Sequence, residues 1–184
     1  MSSILTRAAG PALVAGLVVA STAAPTVAAP AAAQTAGSTA FRILGGLVGL
    51  QAQAGVANDV KVFKNASGHL ILSDTTGIAI GPGCTRVSGS TTQADCGLAG
   101  TVTRLAISLG DKDDTLVVDP AVGSSVNAVV DAGTGKDNVT TNGGNDLIDV
   151  QDNEGGDRVT CGLGTDTVFS DPGDSIASDC DRRF

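Results

Sequence analysis

Six aspartates in the second half of this 184-residue chain follow one rule: Asp, any residue, aliphatic. They are Asp114 with Leu116, Asp137 with Val139, Asp146 with Ile148, Asp157 with Val159, Asp166 with Val168 and Asp174 with Ile176. Successive members lie 23, 9, 11, 9 and 8 residues apart. A Gly- or Asp-rich hexamer precedes each, as in Ala132-Gly133-Thr134-Gly135-Lys136-Asp137 and Cys161-Gly162-Leu163-Gly164-Thr165-Asp166. Glycines at the second and fourth places of such a loop permit the positive φ that folds carbonyl oxygens toward one point. A carboxylate at the sixth place completes a hard, all-oxygen set, which suits Ca²⁺ with its six to eight ligands at about 2.3–2.6 Å. A single Gly-x-Asp is ordinarily only a turn closed by its own side chain. Six in phase, each followed by an aliphatic residue, ask for more. A period near nine is too short for a helical solenoid and fits one turn plus a three-residue strand.

Over about residues 109–176 the pattern resembles the nonapeptide G-G-x-G-x-D-x-U-x of RTX proteins. With the closing Ser178-Asp179-Cys180-Asp181 and a Cys-bearing lead-in, the region looks like secreted bacterial calcium-binding proteins with haemolysin-type repeats. The resemblance implies a parallel β-roll or β-helix in which loop carbonyls and the sixth-position Asp hold Ca²⁺, while the aliphatic residue two places on fills the core. Stacked at the strand spacing of about 4.8 Å, such carboxylates repel by roughly 3 kcal/mol per pair, and a divalent cation between them reverses the sign. Consecutive turns of a two-sided roll fall on opposite edges, with Asp119 to Ser125 counted as one extra turn. One edge is then expected to carry Asp114, Asp137, Asp157 and Asp174, and the other Asp146 and Asp166. Asp137 with Asp157, and Asp146 with Asp166, are the best-placed metal pairs. Asp111 and Asp113 are further candidates, as are Asp152, Asn153 and Glu154. The pattern is broken by Lys112 at a loop-glycine place, by Asn142 and Gly143, which shift the glycines before Asp146, and by Lys136.

The elements that must position these turns are strands. Only 2% of residues are aromatic while Gly numbers 25, so small aliphatic packing and tight turns are expected, not long helices. From about Leu47 to Leu109, apolar residues recur at spacing two: Val60 and Val62, Leu70 and Leu72, Ile78 and Ile80, and Leu105, Ile107 and Leu109. That is the mark of half-buried strands. Asn65 to Gly68 and Asp74 to Gly77 are the expected turns between them. Phe41 to Leu50 fits either a first strand or a short capping helix. The predicted fold is all-β, with a β-rich region over residues 34–108 leading into the repeats over residues 109–184.

Residues 1–33 have the layout of a secretory signal peptide. Arg7 precedes an apolar run from Ala8 to Ala20, and Ala31-Ala32-Ala33 offers a small-residue cleavage site. Gly10, Pro11 and Gly16 interrupt the run, so no membrane span is expected once the segment is removed. RTX toxins leave the cell through a C-terminal signal, so their export route is not carried over to a chain with an N-terminal one. In an oxidising compartment four cysteines imply two disulfides. Three pairings are possible, and proximity favours Cys84 with Cys96 and Cys161 with Cys180. No C-x-x-C occurs and the one histidine, His69, lies outside both pairs, so zinc is a poor fit.

The formal net charge is -8, and residues 111–184 hold fifteen Asp and one Glu against five Lys or Arg. That excludes the basic face a nucleic acid needs. Asp113 and Asp114 are too close in sequence to act as a glycosidase pair, which works across about 5–9.5 Å, and His69 lacks a nucleophile motif. The expected function is therefore binding, not catalysis: a secreted calcium-binding protein. A metal-independent structural or adhesive β-solenoid at the cell surface is the alternative, and a β-helix enzyme such as a polysaccharide lyase ranks last.

Overall fold

Alternating burial builds the first strands of the computed structural model, which describes residues 35–184. The expected export segment lies outside the described residues. β1 (Ser38–Ile43) and β2 (Leu47–Ala52) form an antiparallel hairpin, so Phe41 to Leu50 is strand and turn, not helix. Gly45 and Gly46, at φ 87° and 79°, make its bend. β3 (Asp59–Lys64) and β4 (His69–Asp74) form the second hairpin. The Asn65 side-chain oxygen closes its turn by accepting the Ser67 and His69 N–H groups at 3.0 and 2.9 Å, the Asx-turn chemistry that favours Asn there. β5 (Ile78–Ile80), β6 (Thr85–Arg86) and β7 (Gln93–Leu98) complete this region.

The repeats then lay down β8 (Arg104–Ser108), β9 (Thr115–Val118), β10 (Asn127–Asp131), β11 (Asn138–Thr140) and β12 (Leu147–Asp149). β13 (Arg158–Thr160), β14 (Thr167–Phe169), β15 (Ser175–Ile176) and β16 (Arg182–Arg183) follow. The protein is all-β, in two mixed sheets of eight strands. One runs β16-β14-β12-β10-β8-β2-β1-β5, the other β15-β13-β11-β9-β3-β4-β7-β6. The antiparallel pairs lie among β1 to β7, and every pair among β8 to β16 is parallel. From β8 onward, successive strands alternate between the sheets, so each turn carries the chain from one sheet to the other. β8 pairs with β2 and β9 with β3, which joins the repeats to the hairpins without a break.

Two aliphatic ladders fill the space between the sheets. Val60, Leu116, Val139, Val159 and Ile176 stand in register on one side. Leu50, Ile107, Val130, Ile148 and Val168 do so on the other. All but Ile176 are fully buried, each contributing about 1.5–3 kcal/mol relative to exposure. The strand residue two places after each acidic turn thus sits at a core position, which fixes where the turn's own sixth residue must stand. Asp119 to Ser125 forms a 3₁₀ turn, Pro120–Val122, capped by the Asp119 carboxylate on the Ala121 N–H at 2.9 Å. Cys84–Cys96 and Cys161–Cys180 are both disulfides, chemistry that belongs to an oxidising compartment. Among the described residues, no helix is long and apolar enough to cross a membrane.

Candidate functional site

The turns place the sixth-position carboxylates in two rows. Asp114, Asp137, Asp157 and Asp174 each precede a strand of the β3-containing sheet and occupy one edge. Asp146 and Asp166 precede strands of the β2-containing sheet and occupy the other. Asp114, Asp137, Asp146, Asp157 and Asp166 are all buried, at 0–3% exposure. Asp174 is half-buried.

Each row is a hydrogen-bonded ladder. The Asn58 N–H donates to Asp114 Oδ1 at 2.6 Å, Asp114 N–H to Asp137 Oδ1 at 2.8 Å, and Asp137 N–H to Asp157 Oδ1 at 2.7 Å. Asp157 N–H donates to Asp174 Oδ1 at 3.1 Å. On the opposite edge Ala128 N–H reaches Asp146 Oδ1 at 2.7 Å, Asp146 N–H reaches Asp166 Oδ1 at 2.8 Å, and Asp166 N–H reaches Asp181 Oδ2 at 2.9 Å. Backbone N–H groups thus cover one oxygen of each buried carboxylate and both oxygens of Asp174, whose Oδ2 accepts the Asp171 N–H at 2.7 Å. Oδ2 of Asp114, Asp146 and Asp166 is buried with no hydrogen-bond partner among the described residues. The Thr141 hydroxyl donates to the Cys161 carbonyl at 3.0 Å, and beside Asp146 it offsets part of the rise that burial gives that carboxyl.

Burial without a counter-charge shows in the acidities. Desolvation raises the Asp114 carboxyl from 3.8 to about 6, against the Asn58 N–H that lowers it, with Asp111, Asp74 and Asp113 adding repulsion. Asp137 rises to about 7, again mainly through burial, opposed by the Asp114 N–H and reinforced by Asp114, Asp157 and Asp152. Burial also lifts Asp146, Asp157 and Asp166 above the ordinary carboxylate range. Among the described residues the ion pairs are Lys61–Asp119, His69–Asp95 and Lys112–Asp111, and none reaches these buried carboxylates.

The loops before Asp114, Asp137, Asp146 and Asp166 share one backbone shape. Their second and fourth places all have positive φ: Gly110 and Lys112, Gly133 and Gly135, Asn142 and Gly144, Gly162 and Gly164. Lys112 at 85° and Asn142 at 75° accept a conformation that glycine adopts freely. A Cβ at Gly133, Gly135, Gly162 or Gly164 would overlap the carbonyl of Gly110, Lys112, Asn142 or Gly144, respectively, in the turn beneath. Loop carbonyl oxygens therefore lie directly against the next turn on the same edge. Of these, the Gly110 and Asn142 carbonyls accept the Thr134 and Leu163 N–H groups at 3.0 and 3.1 Å. Among the described residues, no three His, Cys, Asp or Glu side chains converge into a metal-binding group.

The other expected residues stand outside the buried rows. Asp111 accepts the Gly55 N–H and pairs with Lys112 at 3.9 Å, and the exposed Asp113 accepts the Lys136 N–H at 3.0 Å. Asp152 accepts Gly135 N–H at 3.2 Å, while Asp171 accepts Asp152 and Asn153 N–H, both at 2.7 Å. These form an outer tier of turn caps. Asn58 and Asp181 were missed by the sequence rule although both belong to the rows. Asn58-Asp59-Val60 obeys it once Asn is admitted, whereas Asp181-Arg182-Arg183 has Arg at the aliphatic place.

Comparison with family models, with curated proteins and with solved structures finds no match. The class of the protein rests on its own residues and geometry.

Proposed function

We propose that this is a secreted calcium-binding protein whose repeat region is a parallel β-roll, with Ca²⁺ held between stacked Gly/Asp turns and stabilising the stack. Binding, not catalysis, is its activity. The observation that carries this reading is the set of buried, unpartnered Oδ2 atoms on Asp114, Asp146 and Asp166, in rows that no ion pair among the described residues reaches. A buried anion without a partner costs several kcal/mol, and a hard dication would remove that cost. Asp137 with Asp157, and Asp146 with Asp166, would flank the ions together with loop carbonyls. At calcium about ten times Kd each site contributes roughly 1.4 kcal/mol. Two or three sites then rival the net stability of a small domain.

The ladder itself favours a second reading. Every sixth-position carboxylate already accepts a backbone N–H, which is how a metal-independent structural or adhesive solenoid would use it. Calorimetric titration of the mature chain with Ca²⁺, beside an Asp137→Ala, Asp166→Ala double variant, separates the two. Saturable binding that the variant weakens supports calcium. No heat and no change in melting between chelator and millimolar calcium supports the solenoid.

A further inference from the structure

The row that starts at Asp114 continues into the hairpin region and ends in a buried polar cluster that belongs to no repeat. Asn58 stands where a sixth-position Asp would, before β3, and its N–H continues the ladder to Asp114. In the ladder each side-chain oxygen accepts an N–H from the preceding turn on its edge. Before Asn58 the chain runs in antiparallel hairpins, so the repeat supplies no such donor, and Asn58 Oδ1 is buried without a partner. Its amide Nδ2 donates instead to Gly37 O at 3.1 Å, Asp74 Oδ2 at 2.7 Å and Thr76 Oγ1 at 3.2 Å, which fixes which end of the amide is oxygen.

Asp74 is fully buried, its other oxygen taking the Thr76 N–H at 3.0 Å and the Thr76 hydroxyl at 2.7 Å. Beside Gly37, the Ser38 side chain is also fully buried, and its Oγ has no partner. Two buried carboxylates therefore meet Asn58, Asp74 at its side-chain amide and Asp114 at its backbone N–H, and none of the ion pairs among the described residues involves either. Three buried oxygens of these residues, Ser38 Oγ, Asn58 Oδ1 and Asp114 Oδ2, lack partners among the described residues. A water could satisfy hydrogen bonds but not the charge of the two carboxylates, whereas a dication coordinates free oxygens and offsets that charge.

We infer that Ser38, Asn58, Asp74 and Asp114 form a separate cation site at the N-terminal end of the row, taking a hard divalent ion of the calcium class. The identity of the ion rests on the calcium reading of the repeats. The residues do not, because only Asp114 is shared with them.

The test is calcium stoichiometry of the full mature chain by equilibrium dialysis, for wild type, Asp74→Asn, Ser38→Ala and an Asp137→Asn, Asp157→Asn, Asp146→Asn, Asp166→Asn quadruple variant. Asp74→Asn should bind one ion fewer than wild type. Ser38→Ala, which removes only one neutral ligand and serves if Asp74→Asn does not fold, should weaken one site about tenfold and leave the rest. The quadruple variant should keep one ion. If wild type binds calcium and neither Asp74→Asn nor Ser38→Ala alters it, this site is overturned while the repeat reading stands. If the quadruple variant retains all the calcium of wild type and Asp74→Asn removes an ion, the site stands and the repeat reading falls. No binding by wild type overturns both.

Discussion

Replacing Asp137 by Asn keeps an acceptor for the Asp114 N–H, 2.8 Å away, and removes the charge. That residue is 2% exposed, and burial lifts its carboxyl from 3.8 to about 7. Three pH units set a ceiling of about 4 kcal/mol for the cost of ionising it. Water at the rim of the turn and the remaining repulsion between Asp114 and Asp157 reduce this to an expected gain of about 2 kcal/mol for the variant. With about 2–4 °C per kcal/mol for a chain of this size, Asp137→Asn should melt about 4–8 °C above wild type in chelator at about pH 8. Calcium reverses the sign. Asp137 borders the intervals toward both Asp114 and Asp157, and at about a hundredfold Kd each ion contributes about 2.7 kcal/mol. Losing two outweighs the gain by about 3 kcal/mol, so the variant should melt roughly 6–12 °C below calcium-loaded wild type. Thermal melts followed by circular dichroism, with and without calcium, check both signs. A lower melting temperature in chelator would refute the burial argument itself, and an equal gain in both conditions would refute calcium at this row.

Chelated wild type should lose stability as pH rises. Asp114 and Asp137 have folded-state values of about 6 and about 7 against 3.8 unfolded, so their contribution is full below about pH 4 and is lost as pH passes through about 6 to 7; melting temperature across that window reads it, and calcium should flatten the fall. Gly164→Ala places a Cβ on the Gly144 carbonyl at φ 148° and should cost more than about 2 kcal/mol by urea unfolding. Gly45→Ala, at φ 87° with open space around it, should cost only about 1 kcal/mol. A Cys161→Ser, Cys180→Ser variant should lose about 3 kcal/mol, with hydrogen exchange rising first in β15 and β16, since the disulfide ties the last turn to the loop after β13.

What the sequence made legible follows from what the chain repeats. Loop glycines at the second and fourth places mark the left-handed backbone directly, because few other residues tolerate it. Lys112 and Asn142 read as breaks in the pattern, yet both hold positive φ, since the stacked turns on either side dictate the conformation there. Asn58 was hidden because a rule written for Asp skips an amide that fills the same place. Asp74 was hidden because it ends β4 at a turn, where a carboxylate commonly caps its own backbone, as this one does with one of its oxygens. The Phe41 to Leu50 run stayed ambiguous because its glycines fit a hairpin bend and a broken helix alike, and pairing of β1 with β2 and of β2 with β8 decides for strand.

The ladder also separates what sets the register from what neutralises the rows. Oδ1 of each buried Asp is committed to a backbone N–H, and the aliphatic ladders fix the strands two residues on, so the stack is specified by groups that need no ion. Oδ2 is left with the charge, which only a proton or a cation relieves. A metal-free protein should therefore keep its turns in register while holding carboxyls protonated near neutral pH, and calcium should displace those protons. Binding of the ion and release of protons are then one event, with more protons released at about pH 6 than at about pH 8 because more of the carboxyls are still protonated there. Proton release measured in weak buffer during a calcium titration tests that coupling, and release that did not diminish with pH would break the link between the buried oxygens and the ion.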